Sequence, residues 1–247
     1  MSFNLRFLSA LGFLTTLPIP SRAFSDDGKQ ILYFPLVGLL IGGLLYGIDL
    51  LLSLLNYPEI RIIGDVLFLV LISGGLHMDG LADTADGVFS HRPREKILEI
   101  MKDPRMGVMG VLAIIFCTLL KLAGVAGIIR SEAWIWLILA PALGRTAQVI
   151  GLVFVKHVAS EKTLAQSFYQ RGEYFLLCFC PLPFAILLYT DWQIGLATLI
   201  IFTLLISSLL FYFKQKIDGI TGDTLGATSE IIESLFLVIG AIGVSLY

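Results

Sequence analysis

Asp79, Asp83 and Asp86 place three carboxylates within eight residues, directly behind an apolar run. At about 100° per residue, with Asp79 at zero, Asp83 falls at about 40° and Asp86 at about 340°, so on a helix all three share one narrow face. Hard oxygen ligands suit Mg²⁺ or Mn²⁺, and Mg²⁺ is commonly held by one or two carboxylates together with substrate phosphates. Gly80 and Gly87 fall at about 100° and 80°, a bare stripe beside the acids along which a bulky anionic ligand can approach the backbone. The alternative is a solvated face whose acids pair with Arg92, Arg94 or Lys96. Acids at a hydrocarbon boundary favour the functional reading.

A second acidic, glycine-rich stretch runs from Asp218 through Gly219, Thr221, Gly222, Asp223 and Gly226 to Glu230. Asp223 suits either a metal site or the N-cap of a final helix, and Glu230 shares its helical face. Between the two acidic stretches lie Lys102, Asp103 and Arg105. The two cations suit phosphate oxygens, Arg in bidentate fashion, although anchoring at the membrane surface also accounts for them. His77, two residues before Asp79, suits substrate binding or proton transfer, or a hydrogen bond to nearby backbone.

The elements that must position these groups are membrane helices. Of 247 residues, 57% are hydrophobic and only 15% charged, outside the range of ordinary soluble domains, and nothing marks a second domain. A net charge of −2 without any RNA-binding or zinc-finger pattern argues against nucleic acid as a partner. Cys117, Cys178 and Cys180 lie in apolar runs with no ligand set around them and read as packing residues. The expected fold is all-α, a polytopic helical bundle with about seven transmembrane helices preceded by an N-terminal interfacial helix. That first helix carries Phe3, Phe7, Leu11 and Leu14 on one side and ends at Pro18 and Pro20. The seven candidate spans run roughly over Ile31 to Leu55, Ile62 to Leu76, Gly107 to Ile129, Trp134 to Val155, Tyr174 to Tyr189, Ile194 to Phe213 and Ile231 to Leu246. Gly38 and Gly42 form a small-xxx-small pair for close helix contact. Lys121 and Arg145 fall inside spans and require partners or water, whereas Asp49 and Asp65 fall at the outer boundary.

Loop charge sets the orientation. With a cytoplasmic N-terminus, thirteen of the seventeen basic residues lie on that side, from Arg6 to Lys216 and including Lys162 and Arg171, against Arg61 and Arg130 outside. Both acidic stretches then face the cytoplasm.

Three segments carry a family resemblance: 77–87 (His-Met-Asp-Gly-Leu-Ala-Asp-Thr-Ala-Asp-Gly), 101–107 (Met-Lys-Asp-Pro-Arg-Met-Gly) and 221–227 (Thr-Gly-Asp-Thr-Leu-Gly-Ala). With Phe13-Leu14-Thr15 and Leu17-Pro18-Ile19-Pro20 they resemble the cobalamin synthase family, the adenosylcobinamide-GDP ribazoletransferases, over nearly the whole chain. The resemblance implies a Mg²⁺-dependent, multi-pass enzyme of the cell inner membrane, in contact with membrane lipid. Its substrates are adenosylcobinamide-GDP and α-ribazole or its 5′-phosphate, its second product is GMP, and a homo-oligomer is compatible with the sequence. It implies Asp79, Asp83, Asp86 and Asp223 as metal ligands. Asp83 or Asp103 is implied as the proton acceptor, and His77, Gly80, Gly87, Lys102, Arg105, Thr221 and Gly222 as substrate contacts. The rival phosphotransferase reading, a CDP-alcohol enzyme, lacks its Asp-Gly-x-x-Ala-Arg pattern here. A cation transporter predicts acids at the bilayer midplane rather than gathered at one surface.

Overall fold

A computed structural model describes residues 3–24, 28–158 and 174–245. Among them ten α-helices follow in order: α1 (Phe3–Leu14), α2 (Phe34–Ser53), α3 (Pro58–Ile72), α4 (Leu76–Val88), α5 (Arg94–Ile100), α6 (Val108–Ser131), α7 (Ile135–Phe154), α8 (Leu182–Thr190), α9 (Trp192–Ile217) and α10 (Gly222–Ser245). Helix starts follow local chemistry. Pro35 and Pro58 sit in the first turns of α2 and α3, where a missing N–H leaves no bond unmade. The Asp191 carboxylate accepts from the amides of Gln193 at 2.9 Å and Ile194 at 3.1 Å to open α9.

Helix α7 is the axis of the bundle, largely buried between α2 and α10. Gly38 and Gly42 bring α2 onto the α7 backbone at Ala142 and Ile138, and Gly144 brings α7 onto Ser229 of α10. These contacts make α7 antiparallel to both neighbours. Lys121 and Gly124 of α6 meet Glu230 and Leu237 of α10, so those two helices run parallel. One end of the bundle, the near end, therefore gathers the starts of α2, α6 and α10 and the finish of α7. A backbone bridge between His157 and Ile220 adds the finish of α9. Apolar side chains on the outer faces of α6 and α9, among them Ile115, Phe116, Leu119, Leu199 and Leu204, stay exposed as a surface for lipid.

Five of the helices, α2, α6, α7, α9 and α10, are long and apolar enough to cross a membrane. This count differs from the seven spans expected. The second candidate corresponds to α3, after which the chain turns by 84° into α4, so that α4 lies across the near end instead of continuing the crossing. Gly74 and Gly75 make that turn at φ of 61° and 74°, conformations glycine adopts without strain. The fifth candidate breaks into a 3₁₀ turn, Tyr174–Leu177, and the nine-residue α8, too short to span. The far end of the seventh candidate, Leu246, and the basic residues Lys162 and Arg171 lie outside the described residues.

Helix α1 packs against the near end by Ala10, Leu11 and Leu14, and the Thr16 amide donates to Ile72 O at 2.8 Å. Asp49 and Asp65 differ from expectation: both are fully buried at the far end rather than wetted in the interface. Arg61 donates to both Asp49 oxygens, at 2.6 and 2.7 Å, and lies 4.8 Å from the Trp134 ring.

Candidate active site

Helix α4 carries the first acidic stretch and is wedged against α6 and α10. Leu81, Ala82, Ala85 and Val88 are buried, while Asp79 is exposed and Asp83 and Asp86 are partly so, which is the amphipathic division the helical period requires. At Gly80 a Cβ would stand 2.9 Å from Asp223 Cα and 2.8 Å from its carbonyl oxygen. Only glycine lets the first turn of α10 come this close, and the approach sets Asp223 beside Asp79 and Asp83. Two acidic stretches some 140 residues apart thus meet at one place.

The glycines do not form an open stripe. Gly80 is filled by the Asp223 backbone, and a Cβ at Gly87 would stand 2.5 Å from Met101 Cγ and 3.2 Å from Ile97, residues that cover it from α5 and the turn beyond. Both glycines therefore serve helix packing, and the expectation that a ligand approaches them is corrected.

The Asp86 carboxylate accepts from the amides of Gly107 at 2.6 Å and Gly110 at 2.8 Å. It caps α6 from outside that helix, satisfying donors that have no intrahelical partner and setting a negative charge at the positive end of the helix dipole. Asp79 and Asp83 hold no helix start in this way, and the Asp223 carboxylate accepts from its own backbone amide. Among the described residues no Lys or Arg pairs with any of the three. Of the three cations that could neutralise them, Arg94 donates to Ile217 O at 2.8 Å, Lys96 pairs with Glu99 at 2.6 Å, and Arg92 is exposed. Burial, followed by the charges of Asp79, Asp223 and Asp86, pushes the Asp83 carboxyl up to about 6.

Asp223 does not cap α10. Thr221 does: its hydroxyl accepts from the Thr224 amide at 3.2 Å, and the Thr224 hydroxyl accepts from the Thr221 amide at 2.8 Å, a reciprocal pair of the capping-box type. The exposed Gly222 follows in the first turn. Across the site the 101–107 turn is folded on itself. Arg105 donates through Nε and Nη2 to Asp103 at 2.9 and 2.6 Å, and its guanidinium holds the Asp103 carboxyl down at about 2. Lys102 and Arg105 are exposed beside the Asp86 cap.

His77 is buried, and its Nε2 lies 3.1 Å from Gln148 Nε2 of α7. Burial, then the positive charge of Arg145, brings the imidazole down to about 3, so it is neutral. Gln148 escaped the sequence reading. Its signal was available as a polar residue inside a span, three positions from Arg145 and so on the same helical face.

Deeper between the helices, Lys121 pairs with Glu230 at 2.7 Å and with Glu233 at 2.5 Å, and Arg145 pairs with Glu233. The two intramembrane cations thus find equal opposite charge on α10. Among the described residues no group of three or more His, Cys, Asp or Glu side chains stands close enough together to hold a metal ion.

The cobalamin-5-phosphate synthase family profile matches residues 6–241. An adenosylcobinamide-GDP ribazoletransferase from Alkaliphilus metalliredigens is 38% identical, with 94% of this chain and 93% of that protein covered. A protein of the same name from Caldanaerobacter subterraneus is also 38% identical, over 93% and 94%. Another from Clostridioides difficile is 37% identical, over 94% and 95%. No solved structure matches the chain. With a match spanning almost its entire length, the chain belongs to the cobalamin-5-phosphate synthase family.

Proposed function

We propose that this chain transfers the adenosylcobinamide-phosphate group of adenosylcobinamide-GDP to a ribose hydroxyl of α-ribazole or its 5′-phosphate, releasing GMP. The observation that carries this reading, beside family membership, is the approach of α10 at Gly80, which sets Asp223 against the Asp79 and Asp83 face. In the reaction the hydroxyl oxygen forms a bond to the cobinamide-side phosphorus, the bond from that phosphorus to the GMP oxygen breaks, and the hydroxyl proton passes to a base. Little covalent work falls to the protein, so positioning and charge stabilisation dominate.

The donor set fits Mg²⁺: hard carboxylates, uncommitted to any cation, at an end of the bundle open to phosphate. Since no three of the acids converge, one or two of Asp79, Asp83 and Asp223 would hold the ion, with substrate phosphate oxygens and water completing its shell, and bound Mg²⁺ would supply neutralisation of the diphosphate charge. Asp86 is reassigned to holding the start of α6. Asp83, flanked by the other acids, is the residue we assign to receive the hydroxyl proton. Asp103 is too weak a base in its pair with Arg105 and instead orients that guanidinium. Lys102 and Arg105 meet phosphate, Arg105 exchanging one carboxylate partner for another anion.

We place the near end in the cytoplasm and the bundle in the inner membrane. Arg92, Arg94, Lys96, Lys102, Arg105, Lys156, Lys214 and Lys216 cluster in near-end segments, against Arg61 and Arg130 at the far end, the asymmetry that retains basic loops inside. The test is release of GMP from adenosylcobinamide-GDP by purified protein in proteoliposomes, with and without Mg²⁺. Release that requires both Mg²⁺ and α-ribazole supports the reading, and Mg²⁺ flux without release overturns it.

A further inference from the structure

A cavity of about 220 Å³ opens beside Asp223 on the side away from α6, between α1, α2, α4, α7 and α10. It is smaller than the roughly 300–1,000 Å³ of pockets that enclose whole drug-sized ligands, so it accepts one ring system and excludes a corrin macrocycle. Its walls are apolar. Phe13 and Phe34 line it as a stacked pair with centroids 5.9 Å apart and planes at 14°, and Leu152 and Leu225 line it from α7 and α10. Flat aromatic walls of this kind suit an aromatic guest.

The polar lining is confined to His77, Gln148 and the Asp223 rim. His77 and Gln148 are 3% and 4% exposed, and beyond their mutual contact His77 Nδ1 and Gln148 Oε1 have no partner among the described residues. The pair has a fixed hydrogen-bond balance. If the Gln148 amide nitrogen donates to Nε2, then Nδ1 carries the hydrogen and is a free donor, and the amide oxygen is a free acceptor. If the amide is turned over, its NH₂ is the free donor and Nδ1 the free acceptor. In either arrangement one donor is available to a ring nitrogen, in a site where an unmet polar group is costly.

Resting on the reaction proposed above, we infer that this cavity is the subsite for the acceptor's base, and that it selects a bicyclic, mainly apolar aromatic ring bearing one hydrogen-bond-accepting nitrogen, as in a benzimidazole nucleoside. Guanine, the base on the donor, presents hydrogen-bonding groups around most of its edge, and Phe13, Phe34, Leu152 and Leu225 would leave most of them unpaired. The cavity's rim at Asp223 then directs the attached ribose toward the acidic site, while the donor's diphosphate approaches from the side of Lys102 and Arg105.

The test separates binding from turnover. Binding of 5,6-dimethylbenzimidazole and of GMP to the full chain in detergent, without Mg²⁺ or donor, is measured by calorimetry for the wild type, Gln148→Leu and Leu152→Trp. The first variant removes the polar contact at nearly constant volume and the second fills the cavity. The inference expects the benzimidazole to bind the wild type, with affinity about tenfold lower in Gln148→Leu and lost in Leu152→Trp. In turnover it expects KM for α-ribazole to rise by a similar factor while KM for adenosylcobinamide-GDP stays within about twofold. Benzimidazole binding equal in all three proteins, or a loss of GMP rather than benzimidazole affinity, overturns it. A wild type that binds the benzimidazole but releases no GMP from adenosylcobinamide-GDP would instead sink the reaction and leave the subsite standing. Thermal unfolding checks that each variant is folded, and His77→Ala provides a second removal of the polar pair should Leu152→Trp fail to fold.

Discussion

The two acidic clusters on α10 stand in opposite electrostatic situations. At its first turn Asp223 meets Asp79 and Asp83 with no basic side chain paired to any of them among the described residues. About 10–15 Å further along the helix, at 1.5 Å per residue, Glu230 and Glu233 are buried against Lys121 and Arg145, two charges of each sign. Balanced charge inside a bundle ties α6, α7 and α10 together and asks for nothing more. Unbalanced charge at an open end is offset by water, by a proton or by a ligand that supplies positive charge. On the function proposed above, the deep cluster is scaffold, the first-turn cluster the site, and α10 connects them.

Substitutions can break this contrast, beginning with the largest effect. Asp83→Asn is expected to lower kcat/KM for GMP release by about 10²–10³-fold while leaving the thermal midpoint unchanged or raised, since it relieves repulsion. Activity assays beside thermal unfolding of the same preparation check both halves. Glu233→Ala should do the reverse. It strands Arg145 in the bundle, and breaking a buried pair is worth about 3–5 kcal/mol, visible as a lower midpoint and poor yield. A stable Glu233→Ala protein with selectively lost activity would erase the distinction between scaffold and site.

Asp86→Ala lies between these extremes. Loss of two charge-assisted bonds to Gly107 and Gly110, each about 1.5–3 kcal/mol, should loosen the start of α6, with amide exchange rising there first. If Asp86→Ala instead abolishes Mg²⁺ dependence without loosening α6, Asp86 belongs with the ligands. The smallest effect concerns His157, beside the α7 finish. Burial brings its imidazole down to about 4, so between about pH 6.5 and 4 the unfolded chain takes a proton the folded chain does not. Stability therefore falls as pH falls through that window, and His157→Gln should reduce the fall measured by thermal unfolding.

Hydropathy and a 3.6-residue period were enough to find the long crossings and the shared face of Asp79, Asp83 and Asp86, because both are local properties of one helix. What lay beyond them depended on partners distant in the chain. Asp86 looks identical to its two neighbours until Gly107 and Gly110, more than 20 residues on, are seen to donate to it. Gly80 and Gly87 read as open space because nothing local shows that Asp223 and Met101 fill it. Thr221 displaced Asp223 as the cap because Thr224 supplies a reciprocal partner, a pattern present in the sequence but outweighed there by the stronger preference for an acid. The α3 to α4 turn was hidden for a different reason: an apolar run reads the same whether the chain continues across the bilayer or bends at Gly74 and Gly75.

The central claim is that Asp83 and Asp223, from opposite parts of the chain, act on one ion and one diphosphate. A double-mutant cycle on kcat/KM for Mg²⁺-dependent GMP release tests it most directly, using Asp83→Asn, Asp223→Asn and the pair. The account predicts that the double variant is scarcely worse than the more damaged single variant, since either substitution disables the same site. Losses that multiply in full would show two independent contributions and contradict it.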